Sequence, residues 1–181
     1  MRFLWLLITG LSFLLIACSS KEDKAKSLAR EVLTQIYEVK NYPQKFSDIY
    51  TLLYLVHSRK DGNMTYADIA DICSKADKLY RDYKQIRESY SNKAKNEGVY
   101  EQYSQIMQTL FEKDCTYAPT MALYHRIDNF CENVRIADSK FEDFKQHKWA
   151  VEEAWEVFNR KFMKYYSEAL KIKESCFDRV K

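Results

Sequence analysis

Tyr66-Ala67-Asp68-Ile69-Ala70-Asp71-Ile72-Cys73 is followed two residues later by Ala76-Asp77-Lys78-Leu79-Tyr80-Arg81-Asp82-Tyr83-Lys84-Gln85. Ile69, Ile72, Cys73, Ala76, Tyr80, Tyr83 and, further on, Tyr90 recur at three- and four-residue spacing. That spacing puts them on one face of a long helix reaching roughly to Lys95. Thr65 is the candidate N-cap, with Asp68 three residues on. The stretch has a second copy. Its first block aligns with Tyr124-His125-Arg126-Ile127-Asp128-Asn129-Phe130-Cys131, and its second with Ala137-Asp138-Ser139-Lys140-Phe141-Glu142-Asp143-Phe144-Lys145-Gln146. Eight of the eighteen aligned positions are identical, and three extra residues separate the blocks of the second copy. Such an insertion costs about 60° of helical phase, so the buried face is roughly kept. Each copy is closed by a further cysteine, Cys115 and Cys176, at the second block's offset of 61. We read an internal duplication, with repeats at 64–115 and 122–176.

Outside the repeats the pattern is also helical. Lys21 to Asn41 carries Leu28, Val32, Ile36 and Val39 at helical spacing, and Tyr42-Pro43 ends it because the residue before proline avoids the α region. Gln44 to Arg59 places Phe46, Ile49, Tyr50, Leu53 and Val56 on one face. So short a connection suggests that these two helices are antiparallel neighbours. Lys60-Asp61-Gly62-Asn63 is a turn, and Asn96-Glu97-Gly98 breaks the long helix. Tyr100, Tyr103, Met107, Leu110 and Phe111 form the return helix. Pro119 starts the next, with Ala122, Tyr124, Ile127, Phe130 and Cys131 inward. Phe141 and Phe144 continue that face, and Val151, Trp155, Phe158, Phe162, Tyr165 and Ala169 extend the periodicity without a glycine or proline.

The start of the chain is of another kind. Met1-Arg2 is a short positive segment, and Phe3 to Ala17 is an apolar run shorter than the roughly 20 residues of a membrane span. The run ends Leu15-Ile16-Ala17-Cys18, followed by Ser19 and Ser20. This resembles the signal peptide and lipobox of bacterial lipoproteins, over about the first twenty residues. The resemblance implies removal of 1–17, with Cys18 as the new N-terminus, diacylated on sulfur and in many bacteria acylated on its amine. It implies a lipid-anchored envelope protein with a tether at 18–24 and a single helical domain at 25–181. Ser19 after the cysteine suits transfer to the outer membrane under the enterobacterial rule. Lys21-Glu22-Asp23 loosely resembles surface-export signals, although a solvated tether explains it as well.

Composition narrows the class further. Loss of Arg2 with the leader lowers the formal charge from +3 to +2. Near-neutrality, together with the implied export, argues against nucleic acid as a partner. Gly62 and Gly98 are the only glycines after the leader, and Pro43 and Pro119 the only prolines. So few breakers favour an all-α fold. With Cys18 assigned to lipid, Cys73, Cys115, Cys131 and Cys176 form an even set for two disulfides in an oxidising compartment. If each copy is a stapled hairpin, Cys73 pairs with Cys115 and Cys131 with Cys176. An unbroken helix from Ser139 to Lys173, about 50 Å long, would instead carry Cys176 far from Cys131. Either the second copy turns near Gln146-His147-Lys148 or near Asn159, or the pairing crosses copies as Cys115–Cys131 with Cys73–Cys176.

Few residues suggest chemistry. His57, His125 and His147 lack the His-Glu-x-x-His spacing and have no cysteine at a zinc-ligand interval. Thiolate ligands would need a reducing compartment. Asp68, Asp71, Asp77 and Asp82, with Asp138 and Asp143, could form an acid pair, but a solvated or capping role fits their helix positions better. The fourteen tyrosines suit helix–helix boundaries, where the ring is buried and the hydroxyl stays wet, and as a group they suit a binding surface. No nucleotide or hydrolase motif is present. The expected molecule is a disulfide-stapled bundle of antiparallel hairpins. It would act without cofactor or metal as an envelope protein-binding or scaffolding module. An inhibitor or immunity-type protein against an envelope enzyme or toxin is the alternative, and an enzyme with an unfamiliar helical site a third reading.

Overall fold

The computed structural model describes residues 21–112, 115 and 118–180. The expected signal peptide, Cys18 and the first residues of the expected tether lie outside them. No strand occurs among the described residues. Helix α1 is described from residue 21 and ends in a π turn at Gln35–Val39. It is followed by α2 (Tyr42–Lys60), α3 (Tyr66–Asn96), α4 (Tyr100–Glu112), α5 (Ala118–Lys140) and α6 (Phe144–Asp178). Residues 21–24, expected in the tether, are helical.

The stretch that opened the sequence reading is the spine. α3 has 31 residues and is about 46 Å long at 1.5 Å per residue. Its start follows the local chemistry expected of Thr65 and Asp68. The Asp68 carboxylate accepts from the Thr65 backbone N–H and from the Thr65 hydroxyl, both at 2.8 Å. Its end is set by Gly98, whose φ of +67° reverses the chain into α4.

The expected α1–α2 hairpin does not form. Glu31 pairs with Lys93 at 3.0 Å, Lys40 with Asp82 at 3.5 Å and Lys60 with Asp68 at 2.8 Å. As the chain advances through α1 and α2, its partners step back along α3. The two helices therefore follow one another along the spine, both antiparallel to it. One residue, Asn41 at φ +46°, kinks the chain between them without turning it back. The π turn just before it, closed by Lys40 N–H to the Gln35 carbonyl at 2.9 Å, admits one extra residue. Ile36 and Tyr37 are consequently both buried, and Val39, expected inward, is 61% exposed.

α5 packs antiparallel to α3, and α6 antiparallel to both α5 and α2. Phe46, Leu53, Ile69, Tyr83, Leu123, Ile127, Phe130, Val151, Phe158 and Phe162 are buried where these four helices meet. Tyr50 is the hub on the α2 side: its ring stacks on Phe162 at 4.8 Å, and its hydroxyl donates to Asn159 Oδ1 at 2.6 Å. Burying such side chains stabilises the fold by about 1.5–3 kcal/mol each before entropy is counted.

The second copy departs from the first after Lys140. A helix continuous through Phe141 and Phe144 was expected, but the chain reverses there. Asp143 caps α6, its carboxylate accepting from the backbone N–H groups of Lys145 and Gln146 at 3.0 Å each. Phe144 is 62% exposed instead of inward. The reversal precedes both places considered for it, Gln146–Lys148 and Asn159. α6 then runs unbroken for 35 residues.

That geometry decides the cysteines. Cys73 is bonded to Cys131, with Cα atoms 6.2 Å apart, and Cys115 to Cys176, at 5.4 Å. Neither pairing weighed from the sequence is the one observed. The long α6 does carry Cys176 away from Cys131, and Cys115 receives it. Each cysteine is thus joined to its counterpart in the other copy.

Candidate functional site

Some of the residues singled out in the sequence, Cys73, Cys131, Asp77 and Asp138, meet on the seam between α3 and α5. Cys73–Cys131 sits at its middle. On one side of the disulfide, Asp138 Oδ2 accepts from the Tyr66 backbone N–H at 2.7 Å. On the other, the Tyr124 hydroxyl donates to Asp77 Oδ1 at 3.0 Å. Tyr66 and Tyr124 are equivalent residues of the two copies, as are Asp77 and Asp138. In each contact a tyrosine of one segment meets an aspartate of the other, through the backbone N–H of Tyr66 and through the hydroxyl of Tyr124. The Tyr124 ring also stacks on Tyr80, with centroids 4.2 Å apart.

The electrostatics are those of structural hydrogen bonds. Burial, reinforced by the hydrogen bond to Asp77, holds the Tyr124 hydroxyl well above its ordinary pKa. Burial and the neighbouring Asp77 raise the Asp128 carboxyl. Asp82 accepts from the Tyr42 hydroxyl at 2.8 Å and faces Lys40; burial, then Asp82, pushes that tyrosine up. Lys60, followed by the Thr65 N–H, holds Asp68 below the usual carboxylate range. Asp71 pairs with Lys75 one turn on, in a surface pair worth little. Asp143 is the cap of α6. The six candidate aspartates thus stand in separate caps, pairs and clasps, not in one acid pair.

The histidines are also distributed. His57 stacks on Trp155 at 4.3 Å and meets Glu152 at 3.2 Å. Glu152 in turn packs on Gly62 so closely that a Cβ there would lie 1.9 Å from Oε1, which clamps the α2–α3 turn to α6. His147 meets Asp138 Oδ1 at 2.6 Å, so one carboxylate ties the starts of α3 and α6 to α5. His125 is exposed beside Tyr80 and Tyr124. Among the described residues no group of three or more His, Cys, Asp or Glu side chains could hold a metal ion.

Two open grooves lie between helices. One, between α3 and α4, is lined by Lys84, Arg87, Tyr100, Tyr103 and Met107. Another, between α5 and α6, is lined by Arg126, Asn129, Val157 and Lys161. The Arg126 guanidinium lies over the Tyr165 ring at 5.4 Å.

The more unusual surface is apolar. Trp149 is 67% exposed, and Met163 and Leu170 are exposed on the same face of α6, at multiples of seven residues from it. Phe144 is exposed at the start of the same helix, and Tyr54 and Leu55 on α2. Trp149 was not among the residues expected to carry function. Its signal was a second series along α6, offset from the buried one at Val151, Trp155, Phe158 and Phe162 and so not needed for the core. Among the described residues no helix is long and apolar enough to cross a membrane. No protein-family model, no curated protein and no solved structure matches the chain.

Proposed function

We propose that this protein is a lipid-anchored envelope protein whose helical body works as a non-catalytic protein-binding module. The observation that carries the reading is the exposed apolar row of Trp149, Met163 and Leu170 along one face of α6, with Phe144 exposed at the start of the same helix. Large exposed apolar side chains on a rigid helix are the usual anchors of a protein interface. The carboxylates and histidines are engaged in caps and clasps, which supports binding over catalysis. Cys18 is the lipidated residue in this reading, and the outer membrane the expected address.

Capture from bacterial membranes, with the lipidated protein carrying a cleavable crosslinker, tests the proposal. A reproducible protein should be recovered by the native chain and lost with Trp149→Ala, while the variant's helical signal and melting temperature stay unchanged. Equal recovery with Trp149→Ala and with Phe144→Ala would contradict it.

A further inference from the structure

The fold has two distinguishable ends, and the chain leaves from one of them. α1 is helical at residue 21, the first residue described, which lies three residues after Cys18, so at most about 10 Å of chain separates the two. The contacts of Glu31 with Lys93 and of Lys40 with Asp82 lay α1 antiparallel to the C-terminal half of α3. Counting back from Glu31 at 1.5 Å per residue, residue 21 lies about one and a half helical turns beyond the α3–α4 turn. Ala25, Ala94 and Val99 are buried at this end, so α1 is packed against it and not splayed away. The start of α3 and the start of α6 lie at the other end, joined through Asp138.

From this we infer that the end bearing the α3–α4 turn rests on the lipid headgroups and that the bundle stands upright on it. The inference rests on the lipid anchor at Cys18. The surface that would meet the headgroups suits them. Tyr100 is exposed, with Lys95 Nζ 5.1 Å from its ring centroid, an aromatic and a long cation of the kinds that settle at a membrane interface. Gly98, in the turn beside Tyr100, has open space where a side chain would stand. Charge does not drive the contact. Lys21, Lys24, Lys26, Lys93 and Lys95 are offset by Glu22, Asp23, Glu97 and Glu101, with Lys26 paired to Glu22 and Lys93 to Glu31. The short tether and Tyr100 supply it. Upright, the spine places Phe144 and Trp149 some 45 Å further from the bilayer than the α3–α4 turn.

The test uses the full lipidated chain in vesicles of phosphatidylethanolamine and phosphatidylglycerol, brominated near the headgroup end of the acyl chains. Tryptophan emission is read from two variants in a Trp149→Phe background, Tyr100→Trp and Phe144→Trp. The upright bundle loses most of the emission added by Tyr100→Trp and keeps that added by Phe144→Trp. Vesicle flotation and the intact mass are recorded on the same samples. A lipid mass on Cys18 with Tyr100→Trp unquenched, or with both variants quenched alike, overturns the orientation and leaves the anchor standing. No lipid mass overturns the anchor and the orientation together.

Discussion

Asp68 shows how much of this fold is set by single side chains. Its carboxylate takes the Thr65 backbone N–H and hydroxyl and meets Lys60, so one residue both starts the spine and holds the end of α2 against it. Replacing it with alanine should cost about 1 kcal/mol, the usual worth of a lost cap, in denaturant unfolding at neutral pH. The pH dependence has a definite sign. Lys60 and the Thr65 N–H hold the folded-state carboxyl below its ordinary 3.8. Its stabilisation is therefore present above that value and lost as pH falls through the lower folded value. The gap between native protein and Asp68→Ala should narrow below about pH 4 and not in the alkaline range. Thr65 and Asp68 were legible as a cap because a helix start is local chemistry. The role of Asp138 was not, since its partners Tyr66 and His147 lie on two other helices.

At the scale of elements, the helices could be read from the sequence and their directions could not. The turn at Lys60–Asn63 and the break at Gly98 carry residues that suit left-handed backbone, and both are where they were expected. Phe141-Glu142-Asp143 carries no such punctuation. It matches the helical pattern of the first copy, and only the capping geometry of Asp143 shows the reversal. Asn41 misleads in the opposite way. A short link between two helices suggests a hairpin, but one left-handed residue after a π turn only redirects the chain along α3. The disulfides follow from these directions. Both span similar lengths of chain, 58 and 61 residues, so in the chain-entropy model each stabilises the fold by about 4 kcal/mol. Cys73→Ser with Cys131→Ser, and Cys115→Ser with Cys176→Ser, should therefore lower unfolding free energy by comparable amounts. They should differ in locality. The second pair frees α4 and the end of α6, and hydrogen exchange should quicken there while the α3–α5 seam stays protected.

For the whole molecule, the two segments aligned in the sequence are arranged otherwise than expected. The copies do not stand side by side as two stapled hairpins. They face each other across the α3–α5 seam, with equivalent cysteines joined and equivalent tyrosines and aspartates exchanged. The symmetry is partial: Asp82 binds Tyr42, whereas its counterpart Asp143 caps α6. The candidate site is changed by the same geometry. Every carboxylate and histidine that drew notice in the sequence lies in a cap, a surface pair, a clasp or, for His125, an exposed position beside tyrosine rings. The exposed apolar row of α6 drew none, because a periodic apolar helix satisfies the expectation of a core before its second face is considered.

The claim on which this architecture rests is that the two copies are clasped to one another, and cysteine connectivity tests it most directly. Peptide mapping of the oxidised protein, digested without reduction, should recover Cys73 linked to Cys131 and Cys115 linked to Cys176. Recovery of Cys73 linked to Cys115, the bond of a hairpin closed within one copy, would contradict it.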